Sequence, residues 1–158
     1  SSLIEERFAW QRLAAGFRRG QAQFSSERTL ARDTRRMMQE YRYMMVYWSG
    51  AAIALIGDVE LRQLSGGVTS LDTVLKELSR CCLPTKQRWS AAELMPKMDR
   101  VAGYDVFVPL YRRYVVQPRF PDLKETYRLL GLESNSNELR FSNDVIGTTL
   151  RHDIMGER

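Results

Sequence analysis

The residues in this chain that could do chemistry are few: one histidine, two adjacent cysteines, an arginine run and a group of tyrosines. Zinc catalysis needs about three protein ligands, usually with histidines among them. Here His152 is the only imidazole, no His-Glu-x-x-His occurs, and His152 beside Asp153 reads as a surface residue. A Ser-His-Asp triad could be assembled on paper from any serine, but no nucleophile-elbow motif supports one. Gly66-Gly67 precedes a helical pattern but lacks the Lys-Ser/Thr of a phosphate-binding loop. Neighbouring cysteines rarely bridge each other, so Cys81 and Cys82 read as thiols at a helix end. Arg28, Arg32, Arg35 and Arg36 share one helical face, which could bind an anion. With Glu27, Asp33 and Glu40 close by, a solvated face of local ion pairs is the stronger reading. The hydroxyls of Tyr41, Tyr43 and Tyr47 remain, at the head of the most apolar stretch of the chain.

That stretch, Tyr41 to Gly67, has to position them. Its periodicity predicts a central helix over about 46–64. Trp48, Ala52, Leu55 and Val59 form one stripe, and Ile53 and Ile56 make the opposite side apolar too. A helix apolar almost all round belongs in an interior. Small residues at Gly50, Ala51, Ala54 and Gly57 would let neighbours approach closely. Asp58 and Arg62, four apart, are expected to pair along the surface as the helix emerges. Ser65-Gly66-Gly67 supplies the stop.

Around this helix the pattern predicts about six or seven helices in an irregular all-α bundle. Trp10, Leu13, Ala14 and Phe17 make the stripe of a first helix from Leu3 to about Phe24, with Gly16 and Gly20 weakening its far end. Ser26 or Thr29 would cap a second helix, and a break is expected between Gln39 and Val46. Ser70 caps a helix carrying Leu71, Val74, Leu75 and Leu78, which Leu83-Pro84 ends. Ser90 and Glu93 form a capping box, and Pro96 should kink or shorten the helix begun there. Gly103 closes it. Asp105 is expected to cap the next helix, whose stripe is Phe107, Leu110, Tyr111 and Tyr114. Pro118 and Pro121 bracket a turn before a short helix of Leu123, Tyr127 and Leu130, ended by Gly131. Residues 133–138 read as a polar loop, Leu139 and Phe141 as a possible short strand, and Leu150 and Ile154 as one helical face.

At 158 residues and 44% hydrophobic content, the chain can bury a core as one domain. Residues 133–158 are expected as a polar loop and tail packed on residues 1–132. The net charge is +5; four of the 24 basic residues are lysines, leaving 20 arginines to pair with 19 acids. Such a mild, dispersed excess does not point to nucleic acid. The apolar run Met44 to Ile56 is broken by Ser49 and Gly50, with Asp58 soon after, so it reads as a core helix, with no membrane expected. The reading is of a soluble protein, cytoplasmic or periplasmic, without a signal-peptide pattern.

The segment YWSGAAIALIGDVELRQLSGGVTSLDTVLKEL, beginning at Tyr47, resembles the catalytic domain of glycyl-aminopeptidase-type zinc metallopeptidases, thermolysin-like relatives of the larger helical aminopeptidases. Tyr47, Gly50 and Ala51 match that family's Tyr-x-x-Gly-Ala. Asp58 and Arg62 match its Leu-Asp-x-x-Ile-Arg, and Gly66, Gly67, Ser70, Leu71 and Asp72 match its Thr-Gly-Gly-x-x-Ser-Leu-Asp-Asp. AWQRLAAGFRRG (Ala9 to Gly20) resembles the helix after the third zinc ligand. VFVPLYRRYV after Gly103, and the LLGL that ends at Leu132, resemble the family's end. The likeness spans roughly residues 5 to 132. It implies a C-terminal helical part of a catalytic domain, one wall of a substrate cleft, inactive alone. Its partners would be the N-terminal remainder of the same polypeptide and a peptide substrate. No cofactor belongs to this chain itself; zinc is implied for the full-length protein, on ligands upstream of Ser1. The resemblance gives Tyr47 a role, donating a hydrogen bond to the oxyanion of the tetrahedral intermediate; the alternative is a buried core aromatic. One departure stands out: Ser49 replaces the usual lysine of Tyr-x-Lys-Gly. The competing reading is a non-catalytic helical interaction or scaffold domain derived from that fold.

Overall fold

A computed structural model describes residues 2–24, 43–83, 86–117, 119–135 and 138–156. Among these the chain forms seven helices and one small hairpin. They are α1 (Ser2–Ala22), α2 (Tyr43–Ser65), α3 (Leu71–Cys81), α4 (Ala91–Ala102), α5 (Phe107–Leu110), α6 (Lys124–Leu129) and α7 (Val145–Met155), with strands β1 (Leu132–Asn135) and β2 (Glu138–Phe141) between the last two helices. The mostly helical bundle expected from the sequence is what forms. The Arg28–Arg36 stripe, Tyr41 and the caps at Ser26 and Thr29 lie outside the described residues.

The 23-residue helix α2 is the partition of the molecule. One side, Ala52, Leu55 and Val59, packs with Trp10, Ala14 and Phe17 of α1 and with Leu130, Leu132, Leu139 and Leu150. The other side, Met45, Ile53, Ile56 and Leu61, packs with Val74, Leu78, Met98, Phe107, Leu110 and Tyr114. Two cores therefore share one helix, and its apolar residues on opposite faces are each accounted for. By length and composition alone, Met44–Ser65 could cross a membrane; in this fold both faces are covered by protein.

The α1–α2 contact depends on two glycines that the sequence suggested would only weaken α1. A methyl group at Gly16 would lie 2.0 Å from the indole of Trp48, and one at Gly20 would lie 2.5 Å from Trp48 Cβ. Trp48 occupies the groove these glycines leave, edge-on to Phe17 at 5.8 Å between ring centroids. Gly57 does the same job on the other face against Phe107 (2.6 Å), whereas Gly50 faces open space and admits no neighbour.

Most terminators act as their chemistry requires. α2 stops at Ser65, with Gly66 and Gly67 at φ +64° and +86°, and the Gly67 N–H donates to the Arg62 carbonyl. Ser70 caps α3 in a capping box closed by Thr73, and Ser90 caps α4 in one closed by Glu93. Pro96 does not shorten α4, which runs on to Ala102 and ends at a left-handed Gly103. Both Pro96 and Ala92, whose carbonyl loses a donor, are exposed.

Four expectations are corrected. Asp105 does not cap α5: no side-chain cap exists there, and Asp99 of α4 does that work from a distance. Its Oδ1 accepts the Val106 and Phe107 N–H groups at 3.0 and 2.7 Å, and Oδ2 accepts that of Val108 at 3.0 Å. Asp58 and Arg62 pair at 3.0 Å, but in a largely buried setting, because Asp58 Oδ1 also accepts the Leu71 N–H at 2.7 Å and so ties α2 to the start of α3. Cys81 and Cys82 are joined as a disulfide. The chain leaves helical geometry at Cys82 (φ −138°, ψ −4°), which lets neighbouring sulfurs converge where a continuing helix would splay them. Finally, residues 133–135 are strand rather than loop, pairing with β2 in the register Leu132 to Phe141 and Asn135 to Glu138.

The segment after Leu132 is correspondingly more than a polar tail. Leu139 and Leu150 sit in the second core, and buried Arg151 donates to the carbonyls of Leu130 and Ser142 while pairing with Glu6 of α1. Beyond α5 the backbone continues as a widened π-helical turn, Tyr111–Val116, that sequence periodicity does not reveal.

Candidate functional site

Tyr47 lies in the first turns of α2 and is 62% exposed, so it is not a core aromatic. Its ring meets Trp48 edge-on at 5.1 Å between centroids. Trp48 in turn is held in the Gly16–Gly20 groove, with the Arg19 guanidinium over its ring at 5.9 Å. An exposed phenol is thus mounted on a helix start that is fixed through its neighbour. A phenol O–H held this way can donate a hydrogen bond to an anionic oxygen, which is the chemistry the resemblance assigns it. The side chain of Tyr43 and all of Tyr41 lie outside the described residues.

Position 49 is decided by its surroundings. Ser49 is 2% exposed and its Oγ donates to Met45 Sδ at 3.6 Å. A lysine at this point would place an ammonium among apolar side chains, a costly arrangement without a partner. Serine, small and with its hydroxyl bonded to Met45, meets no such cost.

The described residues do not compose a zinc site. No three or more of His, Cys, Asp and Glu are grouped as a metal ion would require among them. His152 is half exposed at the end of α7, 4.0 Å from Glu6, which also pairs with Arg151.

Two further groups escaped the sequence reading. Glu60 of α2 is half-buried, and desolvation raises its carboxyl above the ordinary value, with Arg113 opposing. Nothing in the local pattern distinguishes Glu60 from Glu77, because burial on this helix depends on α5 and its π-helical extension. Arg18 and Tyr127 line a shared cavity between α1 and the segment around α6. The signal for Arg18 was available in part: it sits next to the buried Phe17, one step around the helix from the core stripe.

Comparison with family models, with curated proteins and with solved structures returns no match to this chain.

Proposed function

We propose that this chain forms the C-terminal helical wall of a metallopeptidase-like catalytic domain, with Tyr47 as an oxyanion hydrogen-bond donor on the rim of the cleft. The observation that carries the reading is Tyr47 itself: 62% exposed, on a helix that a few residues further along buries Ala52, Ile53, Leu55, Ile56, Val59 and Leu61. A side chain kept in water at the end of a core helix is free to meet a substrate. Its helix, gripped by two cores, would keep the hydroxyl in place. The described residues do not fit a zinc site; on this reading the metal ligands are upstream residues, and no step is derived through the metal. What this chain contributes is a neutral O–H donor and a rigid wall.

The test uses the chain joined to its upstream sequence. That sequence should contain His-Glu-x-x-His and a later glutamate ligand; its having neither would remove the catalytic reading. In the joined protein, Tyr47→Phe should lower kcat by roughly 10- to 1,000-fold with KM little changed, the scale of losing one oxyanion donor. An unchanged kcat in a folded Tyr47→Phe protein would withdraw the role.

A second reading, a helical interaction module without activity, is favoured by two observations. Ser49 stands buried where the resembled motif has lysine, and α1 exposes Leu3 (69%), Ile4 (75%) and Phe8 (59%) near its start. Full-length protein that cleaves no peptide and binds no zinc, yet retains a partner through Leu3, Ile4 and Phe8, would select this second reading.

A further inference from the structure

Between α1 and the chain from Phe120 to Tyr127 lies a cavity of about 280 Å³. Phe17, Phe120 and Leu123 give it apolar walls, and Arg18, Gln21, Lys124, Tyr127 and Ser134 give it polar groups. Each of those five can donate a hydrogen bond. Asp122 is the acid in the lining, and one of its oxygens already accepts the Lys124 backbone N–H at 3.0 Å. Two cationic side chains against one acid leave the cavity with an excess of positive charge.

Arg18 is the centre of the case. Its Nη1 is sealed from solvent and has no hydrogen-bond acceptor. A buried guanidinium N–H left without an acceptor has lost its hydration with nothing in return, a larger penalty than for a neutral group. Such a group calls for an explanation, and a bound ion is one; of the described side chains left in this way (Trp10, Trp48, Trp89, Arg151 and Arg18), Arg18 is the one that lines this cavity. Tyr127 sharpens the chemistry. Burial pushes its hydroxyl pKa up to about 12 against the influence of Arg18, so at neutral pH the phenol keeps its proton and remains a donor.

We infer that this cavity is an oxyanion-binding site, in which the Arg18 guanidinium fork takes a carboxylate or phosphate group with Tyr127 and Lys124 as supporting donors. The planar fork of arginine suits both, because each presents two oxygens in one plane. Tyr47 is not among the residues that line it, and the assignment does not depend on the peptidase reading.

The experiment titrates the 158-residue chain with inorganic phosphate and, separately, with acetate. It tracks backbone amide NMR shifts of Arg18, Gln21, Lys124 and Tyr127, with sodium chloride at matched ionic strength as reference. Saturable one-site shifts with either probe are expected, and which probe saturates at lower concentration identifies the group preferred. Arg18→Gln should weaken binding at least tenfold, Tyr127→Phe a few-fold, and Arg18→Lys less than Arg18→Gln. Should Arg18→Gln fail to fold, Tyr127→Phe and Arg18→Lys decide the matter by the same readout. Shifts that never saturate, that track ionic strength alone, or that are identical in the variants overturn the assignment.

Discussion

At the scale of single residues, two carboxylates organise the backbone more than any surface charge does. Asp99 is 7% exposed and accepts three consecutive N–H groups at the start of α5, a helix too short to satisfy its own ends. Asp58, on α2, holds the start of α3 in the same way through the Leu71 N–H. Asp99→Ala is expected to cost about 3 kcal/mol in urea unfolding, since it strands buried donors. Asp99→Asn should cost less, because one oxygen remains for Val106 and Phe107; equal losses for the two variants would contradict the cap. Glu60 is a carboxylate that burial works against. Its folded-state pKa lies above the ordinary 4.5, with desolvation as the main cause. The folded chain therefore holds that proton more tightly than the unfolded chain, and stability falls as pH rises from the ordinary value through the raised one. Glu60→Gln should stabilise the protein at pH 7, with the gain shrinking as pH falls to about 4 and below, where both states become mostly protonated. Paired unfolding curves at the two pH values would reveal a constant gain if the cause were packing instead.

At the scale of elements, the stops and stripes were readable and the long-range partners were not. Ser70, Ser90 with Glu93, Gly66-Gly67 and Gly103 act through neighbours within a few positions, so sequence alone places them. Asp99 acts on residues seven to nine positions away across a turn, and the nearer Asp105 was the natural but mistaken candidate. Gly16 and Gly20 are similar: propensity marks them as weak points, while the indole that fills their groove comes from α2. Gly16→Ala should destabilise by about 1–3 kcal/mol through overpacking, although alanine is the better helix former. In a Trp48→Leu background the same change should cost far less. A double-mutant cycle showing no coupling would mean that the ring does not sit in this groove. The exposure of Tyr47 was equally beyond periodicity, because it depends on which side of Trp48 faces α1.

At the scale of the whole molecule, the division into two cores is the main fact. α3, α4 and α5 pack chiefly on one another and on α2; α1, α6, the hairpin and α7 pack chiefly on one another and on α2. Both faces of α2 are apolar in the sequence, so its burial was legible. That each face belongs to a separate cluster was not, because the assignment rests on contacts between distant segments such as Trp10 with Leu150's neighbourhood and Met45 with Val74's. Removing Arg151, which joins α7 to α6, the hairpin and α1, tests the division. Arg151→Ala should destabilise the molecule by about 3 kcal/mol through one core, leaving the Leu130 and Ser142 carbonyls without their donor. Near-ultraviolet signals from Trp10 and Trp48 should be lost at lower denaturant than the side-chain NMR signals of Phe107 and Tyr114 in the other core. One common midpoint in the variant would show the two sides to be a single cooperative unit.

The partition by α2 also has a kinetic consequence. An amide of Ala52, Ile53 or Ile56 is exposed to solvent only when the packing on both sides has come apart, whereas an amide of α3 or α7 needs only one side to open. Deuterium should therefore enter the middle of α2 last, at the rate set by complete unfolding, and enter the outlying helices sooner by separate local openings. The same helix that offers Tyr47 at its exposed end would then be, a few residues further along, the slowest clock in the molecule.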